Sequence, residues 1–334
     1  MKCTNKKKVI NLLCVMLAVI SLLSGCGNLS YELVYHADAD VSSFNVISKE
    51  DRRTAVPYAN NLCVVSGDVS EDVKADLSVA TAAVLMDVNK NEVIYAKSAH
   101  KQLYPASITK IMTALIAIRY GRPDQVLTAT NSVNISESGA TLCGLKAGDT
   151  MTMDQALRIL LVYSANDVAM LIAENVGGSV EQFVELMNTE AQRIGATNTH
   201  FANPHGLTDE EHYTTVYDLY LIFNEAMKEE TLNEIIRMTN YQTVYYDKNK
   251  KEKTFEKKST NGYLNGYFTP PSNVTVIGGK TGTTNAAGHC LLLLVRDVSG
   301  APYIAIVMGT PSTDELYRCM SELLGEINHL SQEG

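Results

Sequence analysis

Three short stretches of the chain combine hydroxyl, amine and amide side chains at spacings that chemistry can use. In "YPASITKIMTAL", residues 104–115, Ser107 and Lys110 stand three residues apart. On a helix that spacing places both on one face. A serine hydroxyl is a weak nucleophile until a neighbour takes its proton, and a desolvated lysine amine can do so. Taken alone the pair is common: Lys110 also reads as a solvated helix charge and Ser107 as an N-cap. In "YSAND", residues 163–167, Ser164 and Asn166 interrupt the apolar run "ILLVYSANDVAML". Such groups are often satisfied by nearby backbone. A hydroxyl and an amide two residues apart can also relay a proton to a leaving amine and hold a carbonyl. In "GGKTGTTNAAGHC", residues 278–290, Lys280, Thr281 and Thr283 offer a cation and hydroxyls suited to a carboxylate. Gly278, Gly279 and Gly282 let a ligand backbone approach closely. The Gly-x4-Gly-Lys spacing of a phosphate loop is absent.

These stretches need elements that bring them together. In "ATAAVLMDVNKNEVIYAKSA", residues 80–99, two apolar strands flank the turn "DVNKNE", a hairpin pattern. Helical periodicity runs from Ser107 to about Arg119, and a mostly helical stretch extends from "TMDQALRIL" through "TVYDLYLIFNEAMK". Strands return at "NVTVIGGKTG", "HCLLLLVRDV" and "PYIAIVMG". A last amphipathic helix carries Leu316, Met320, Leu323, Leu324, Ile327 and Leu330. Strands at both ends with helices between them predict an α/β fold: an antiparallel sheet with flanking helices and an inserted helical subdomain. The run "DKNKKEKTFEKK", residues 247–258, reads as an exposed hairpin or loop.

Composition narrows the function class. The chain has 334 residues, 46% hydrophobic and 19% charged, enough to bury a sizeable core. A formal charge of −9 with no basic patch argues against nucleic acid as a partner. The N-terminus pairs a basic start, "MKCTNKKK", with the apolar run Val9–Leu23, too short for a comfortable membrane span. It ends in "LSGC", which resembles the lipobox of bacterial lipoproteins. That resemblance implies cleavage of residues 1–25 and a lipid on Cys26, anchoring the protein to the outer face of the cell membrane. Residues 26–75 read as a polar tether, with a short strand around "NNLCVV". Cys63, Cys143, Cys290 and Cys319 form no CxxC pair and no zinc-spaced cluster, and Cys290 and Cys319 sit in apolar surroundings that suit small core residues.

In this order, "SITK", "SAN" and "KTG" resemble the Ser-x-x-Lys, Ser-x-Asn and Lys-Thr-Gly elements of penicillin-binding proteins and serine β-lactamases. With "FANPHGLTDEEHYTTVYDL" and "GGKTGTTNAAGHCL", the chain is similar to the D-alanyl-D-alanine carboxypeptidase family over about residues 76–330. The resemblance implies a transpeptidase-like catalytic domain over residues 76–334, without the β-rich stalk that relatives commonly add. It implies Ser107 as nucleophile, Lys110 as its base, Ser164 as proton relay to the leaving D-alanine and Asn166 as orienter of the peptidoglycan stem peptide. The oxyanion would lie between the backbone N–H groups of Ser107 and Thr283. Lys280, Thr281, Gly282 and Thr283 would shape the carboxylate pocket. β-Lactam antibiotics would inhibit by acylation, and no metal or organic cofactor is needed.

Four departures accompany the likeness. Ala165 stands where relatives usually carry glycine, and Thr283 where some carry histidine. The chain ends with one helix rather than a stalk. Many relatives place a basic residue after the last strand to hold the carboxylate; here "PSTDELYR" delays it to Arg318, whose role stays open. His205, His212 and His289 read as structural, since the lysine already supplies a base. A class A β-lactamase, a DD-endopeptidase and a non-catalytic wall-binding lipoprotein remain as alternatives. The first requires a deacylating glutamate, for which Glu210 and Glu211 in "TDEEHY" lack the expected context.

Overall fold

The alternation around "DVNKNE" forms two antiparallel strands, β1 (Ala82–Asp87) and β2 (Glu92–Lys97). The structure, a computed structural model, describes residues 62–70 and 73–333, with side chains through residue 327. The segment named in the sequence for lipidation, including Cys26, lies outside the described residues. Next come α1 (Lys110–Tyr120), β3 (Val126–Thr128), β4 (Thr150–Thr152) and α2 (Met153–Arg158). The helices α3 (Asn166–Gly177), α4 (Val180–Ile194), α5 (Val216–Ala226) and α6 (Glu230–Ile235) follow. A hairpin of β5 (Asn240–Tyr246) and β6 (Glu252–Lys258) leads to β7 (Thr275–Thr284), β8 (Gly288–Arg296), β9 (Pro302–Thr310) and α7 (Thr313–Glu333).

Strands from both ends of the domain join in one antiparallel sheet, ordered β2-β1-β9-β8-β7. Its central strands are covered on both faces, which is why β8 reads "CLLLLV" without polar alternation. Side chains of a strand point to opposite faces in turn. On β8, Leu291, Leu293 and Val295 pack with Leu316, Met320, Leu323 and Ile327 of α7. Cys290, Leu292 and Leu294 face the other way, toward Ile108, Ile111, Met112 and Leu115 of the α1 region. Each fully buried leucine contributes about 1.5–3 kcal/mol by leaving water, so this double cover fixes β7 and α1 relative to one another.

The helical insertion is held by caps and charge. Ser179 and Thr215 accept from the N–H groups of Gln182 and Asp218, and Thr152 with Gln155 forms a capping box. Arg119 of α1 pairs with Glu190, Glu225 and Glu229, and Arg193 with Glu190 and Glu225, tying α1, α4 and α5 together.

Two features go beyond the sequence expectation. The "DKNKKEKTFEKK" hairpin joins β3 and β4 in a second, four-stranded sheet ordered β3-β4-β5-β6. The polar look of residues 62–70 hides a docked segment. Cys63 is fully buried and its N–H donates to the Tyr220 hydroxyl, while Val69 bridges to Ala96. The folded domain therefore includes residues before 76, because a few apolar side chains among polar neighbours find a hydrophobic surface to cover.

Candidate active site

Ser107 sits in a single 3-10 turn, Ala106–Thr109, that runs directly into α1. Ala106, just before it, takes a left-handed conformation with φ 47°, which an alanine adopts at a cost of roughly 1–3 kcal/mol. Contacts from far along the chain hold that turn. The Thr109 hydroxyl donates to the Ala106 carbonyl at 2.8 Å and lies 2.8 Å from His212 Nε2. His212 Nδ1 accepts from the Ala202 N–H, so the proton belongs on Nε2 and the relay runs from His212 through Thr109 to Ala106. Burial lowers the pKa of His212 to about 4 and that of His205 to about 3, which keeps both rings neutral at ordinary pH. Gly206 lies against the Ala106 carbonyl so closely that any side chain there would collide with it.

Lys110 begins α1 and is fully buried. Its Nζ lies 2.9 Å from Ser107 Oγ, 2.7 Å from Asn166 Oδ1 and 2.6 Å from the His205 carbonyl. Two of these three partners can only accept. A neutral amine has two N–H bonds to give them and one lone pair, which is left facing the Ser107 hydroxyl. Burial pushes the Lys110 pKa well below its ordinary value; the nearby Lys280 charge adds to the shift and Asp167 opposes it. The pair is therefore a hydroxyl and a buried amine in contact, the arrangement that a nucleophile and its base require.

Ser164 and Asn166 are delivered by a break in the helical stretch. The chain passes through a π-turn, Ile159–Tyr163, then Ser164 takes a left-handed conformation with φ 71° and α3 starts at Asn166. Such a turn re-aims side chains that a continuous helix would scatter. Ala165 has φ −65° and ψ 124°, ordinary extended backbone, so its methyl costs nothing where relatives have glycine. Lys280 Nζ lies 2.9 Å from Ser164 Oγ, is fully buried, and is held down to about pKa 7 by burial. Thr281 Oγ1 donates to Thr260 Oγ1 at 2.7 Å.

Gly282 presses β7 against the nucleophile: a methyl group there would lie 3.0 Å from both the Pro105 carbonyl and the Ser107 nitrogen. Gly278 and Gly279 do not face this cleft. Gly278 backs onto the Ile236 carbonyl and Gly279 onto Leu292 of β8, so the close approach expected of them serves packing rather than a ligand. Ser107, Ser164, Thr281, Gly282 and Thr283 share one cleft of about 240 Å3. Lys110 and Asn166 stand behind it.

Sequence reasoning missed Asp167. Its buried carboxylate accepts the N–H groups of Cys143, Gly144, Leu145 and Val168, while the Asn166 N–H donates to the Thr141 carbonyl. These bonds pin the loop 141–145 to the start of α3 and set Thr141 on the rim of the cleft. An acidic residue beside "SAN" was the signal available. Arg318 is not at the site: its guanidinium pairs with Glu315 and Glu322 on α7. Among the described residues no three His, Cys, Asp or Glu side chains gather as a metal site.

A family model for D-alanyl-D-alanine carboxypeptidase matches residues 69–312. The chain belongs to that family. The carboxypeptidase DacF of Bacillus subtilis is 33% identical over 254 residues, covering 73% of this chain and 61% of its own. DacA of Haemophilus influenzae is 27% identical, covering 78% and 66%. The chain thus spans about three fifths to two thirds of the length of these carboxypeptidases. Among solved structures, the Streptomyces K15 DD-transpeptidase aligns with TM-score 0.68 at 27% identity, over 74% of this chain and 96% of that one. Penicillin-binding protein 6B of Escherichia coli aligns with TM-score 0.64 at 28% identity, over 74% and 76%. The transpeptidase-like fold expected from the motifs is the observed one.

Gly282→Ala tests the contact between β7 and the nucleophile. The nearest atoms are the Pro105 carbonyl oxygen, the Ser107 nitrogen and the Ala106 methyl at 3.0–3.1 Å, so the strand and the Ser107 turn must part by a few tenths of an ångström. A full misplacement of about 1 Å costs on the order of a hundredfold in rate, and a part of that is expected here. The second-order rate constant for acylation by a labelled penicillin should fall at least tenfold, with about 1–3 kcal/mol lost in denaturant unfolding. An unchanged acylation rate would show that the close approach is incidental.

Proposed function

We propose that this protein is a serine D-alanyl-D-alanine carboxypeptidase that trims the terminal D-alanine from peptidoglycan stem peptides and is acylated by β-lactams. The observation that carries the reading is the Ser107–Lys110 contact, with the buried amine held by Asn166 and the His205 carbonyl. Ser107 Oγ attacks the carbonyl of the penultimate D-alanine and its proton passes to the Lys110 amine. The backbone N–H groups of Ser107 and Thr283 receive the developing oxyanion. Asn166 turns its oxygen to Lys110, so its Nδ2 is the end that meets a substrate carbonyl. The C–N bond then breaks, Ser164 relays the proton held by Lys110 to the leaving D-alanine amine, and the acyl group remains on Ser107. Water attacks that ester, Lys110 accepting its proton and returning it to Ser107 Oγ as the acyl–oxygen bond breaks.

The β-lactamase alternative fares worse. Among the described residues, no carboxylate lines the cleft around Ser107. Glu210 lines a separate cavity of about 780 Å3, with Tyr104 and Tyr213, that shares no residue with it. A penicilloyl ester in this site lacks a glutamate to activate water, and the rest of the antibiotic stays where water must enter. The endopeptidase alternative differs in substrate rather than in this machinery.

For location, the "LSGC" stretch supports cleavage before Cys26 and anchoring outside the cell membrane through a lipid on that cysteine. Among the described residues no helix is long and apolar enough to cross a membrane.

Two measurements address these proposals. Mixing the protein with labelled penicillin and with a diacetyl-Lys-D-Ala-D-Ala peptide should give a long-lived adduct on Ser107 together with repeated D-alanine release. Ser107→Ala should abolish both while changing stability by no more than the worth of its one hydrogen bond to Lys110, about 0.5–1.5 kcal/mol. Rapid multiple turnover of penicillin with no D-alanine released would instead make it a β-lactamase. Separately, Cys26→Ala should leave the precursor uncut and without lipid label. A variant still processed and labelled would refute the anchor.

A further inference from the structure

A carboxypeptidase must receive a carboxylate. Its scissile bond lies one residue from the substrate's C-terminus, so wherever Ser107 attacks, a carboxylate sits one residue further on, within about 4 Å along the chain. That group loses part of its hydration on entry, and needs hydroxyl donors and preferably a cation in return. The buried lysines do not meet this need. Lys110 faces Ser107, and Lys280 is fully buried with its amine directed at Ser164 and at the Thr281 carbonyl. Arg318 is tied to Glu315 and Glu322 on the surface of α7. No arginine lines the cleft.

What does line it beyond Gly282 is a ring of hydroxyls, Thr260, Thr281, Thr283 and Thr313, and one imidazole, His289. His289 is half-buried near the start of β8, directly across the ladder from Thr283. Its Nδ1 lies 3.4 Å from Thr283 Oγ1 and 3.2 Å from Thr313 Oγ1, so the ring spans from β7 to the first residue of α7. Its backbone is fixed as well, since the His289 carbonyl accepts from the Thr310 hydroxyl. Nε2 has no hydrogen-bond partner among the described residues.

We propose that His289 is the residue that receives the substrate's terminal carboxylate, with the Thr283 and Thr313 hydroxyls beside it. This rests on the carboxypeptidase reading of the same cleft. Several other titratable groups face or flank it. Lys280 lies on β7, Lys110 behind Ser107, and Tyr317 lines the cleft with its phenol pushed up by burial. Asp314 and Glu315 lie in the first turn of α7, and Glu315 is already engaged by Arg318. β9 contributes the uncharged Thr310.

The assignment has a signed consequence. A carboxylate binds a protonated imidazole more tightly than a neutral one, so KM for a substrate held this way rises with pH. Lys110 acts in the opposite sense, since the base must be neutral, and its effect falls on kcat. The two are separated by measuring KM and kcat from about pH 5.5 to about pH 9. KM for the D-Ala-D-Ala peptide should rise with pH in the parent protein. His289→Gln should raise KM at low pH by about tenfold or more, the worth of a hydrogen bond to a charged group, and flatten its pH dependence, with kcat little changed. His289→Arg should recover the low KM and hold it through the alkaline range. A flat KM in the parent, or an unchanged KM in His289→Gln, would overturn the assignment while leaving the carboxypeptidase reading intact. Penicillin acylation, read in parallel against the penicillin methyl ester, keeps the test open if no D-alanine is released, an outcome that would instead overturn that reading. The assignment then requires that His289→Gln slow acylation by the acid and not by the ester; equal slowing, or none, would reject it.

Discussion

Everything in this site depends on taking one amine out of water without leaving it a charge partner. An ammonium that lost its hydration and gained a carboxylate would stay protonated. Lys110 instead meets an amide oxygen, a backbone carbonyl and a serine hydroxyl. Neutral oxygens compensate a desolvated ammonium only in part, so the proton becomes easier to lose. Asp167 lies close enough to oppose this, but its oxygens are already occupied by four backbone N–H groups, and burial wins.

The scaffold follows from that requirement. The amine comes from the first residue of α1, one acceptor from the first residue of α3 and the other from the loop between α4 and α5. They converge because α1 is packed against the sheet on one side and against the helical insertion on the other. The nucleophile's turn carries local strain at Ala106, and that strain persists because the His212–Thr109 relay and the close approach of Gly206 restrain it from outside. Ser164 adopts a second left-handed conformation on the facing wall. Left-handed residues next to Ser107 and at Ser164 are local strain of the kind a preorganised site holds in place.

Legibility in the sequence tracked the range of the interactions. Ser107, Lys110, Ser164, Asn166, Lys280 and Thr281 are singled out by the likeness of "SITK", "SAN" and "KTG" to the family's motifs; of these, Ser164 and Asn166 also stand out as polar residues in an apolar run. The strand–helix–strand order could be read from local periodicity. Asp167 could not, nor could the particular contacts that His212 and His289 make. The Thr109–His212 contact spans 103 residues, and the Asp167 bonds depend on how a loop folds back. His289 looked structural because neighbouring residues are apolar, whereas the pairing of β8 with β7 turns it toward the cleft beside Thr283. The second sheet was half visible: the hairpin showed, but its pairing to the three-residue strands β3 and β4 did not. Residues 62–70 looked like tether because one buried cysteine and one valine are too few to make a pattern.

The proposed mechanism requires Lys110 to be a neutral amine poised as base by burial. It is tested most directly by titrating that lysine, labelled with carbon-13 at Cε, by NMR in the free protein, alongside the pH dependence of acylation by penicillin. The account expects a Lys110 midpoint far below the ordinary lysine value of about 10.4, and an acylation rate whose rising limb follows the same midpoint. A Lys110 that titrates near that ordinary value, or an acylation limb that ignores it, would contradict the account.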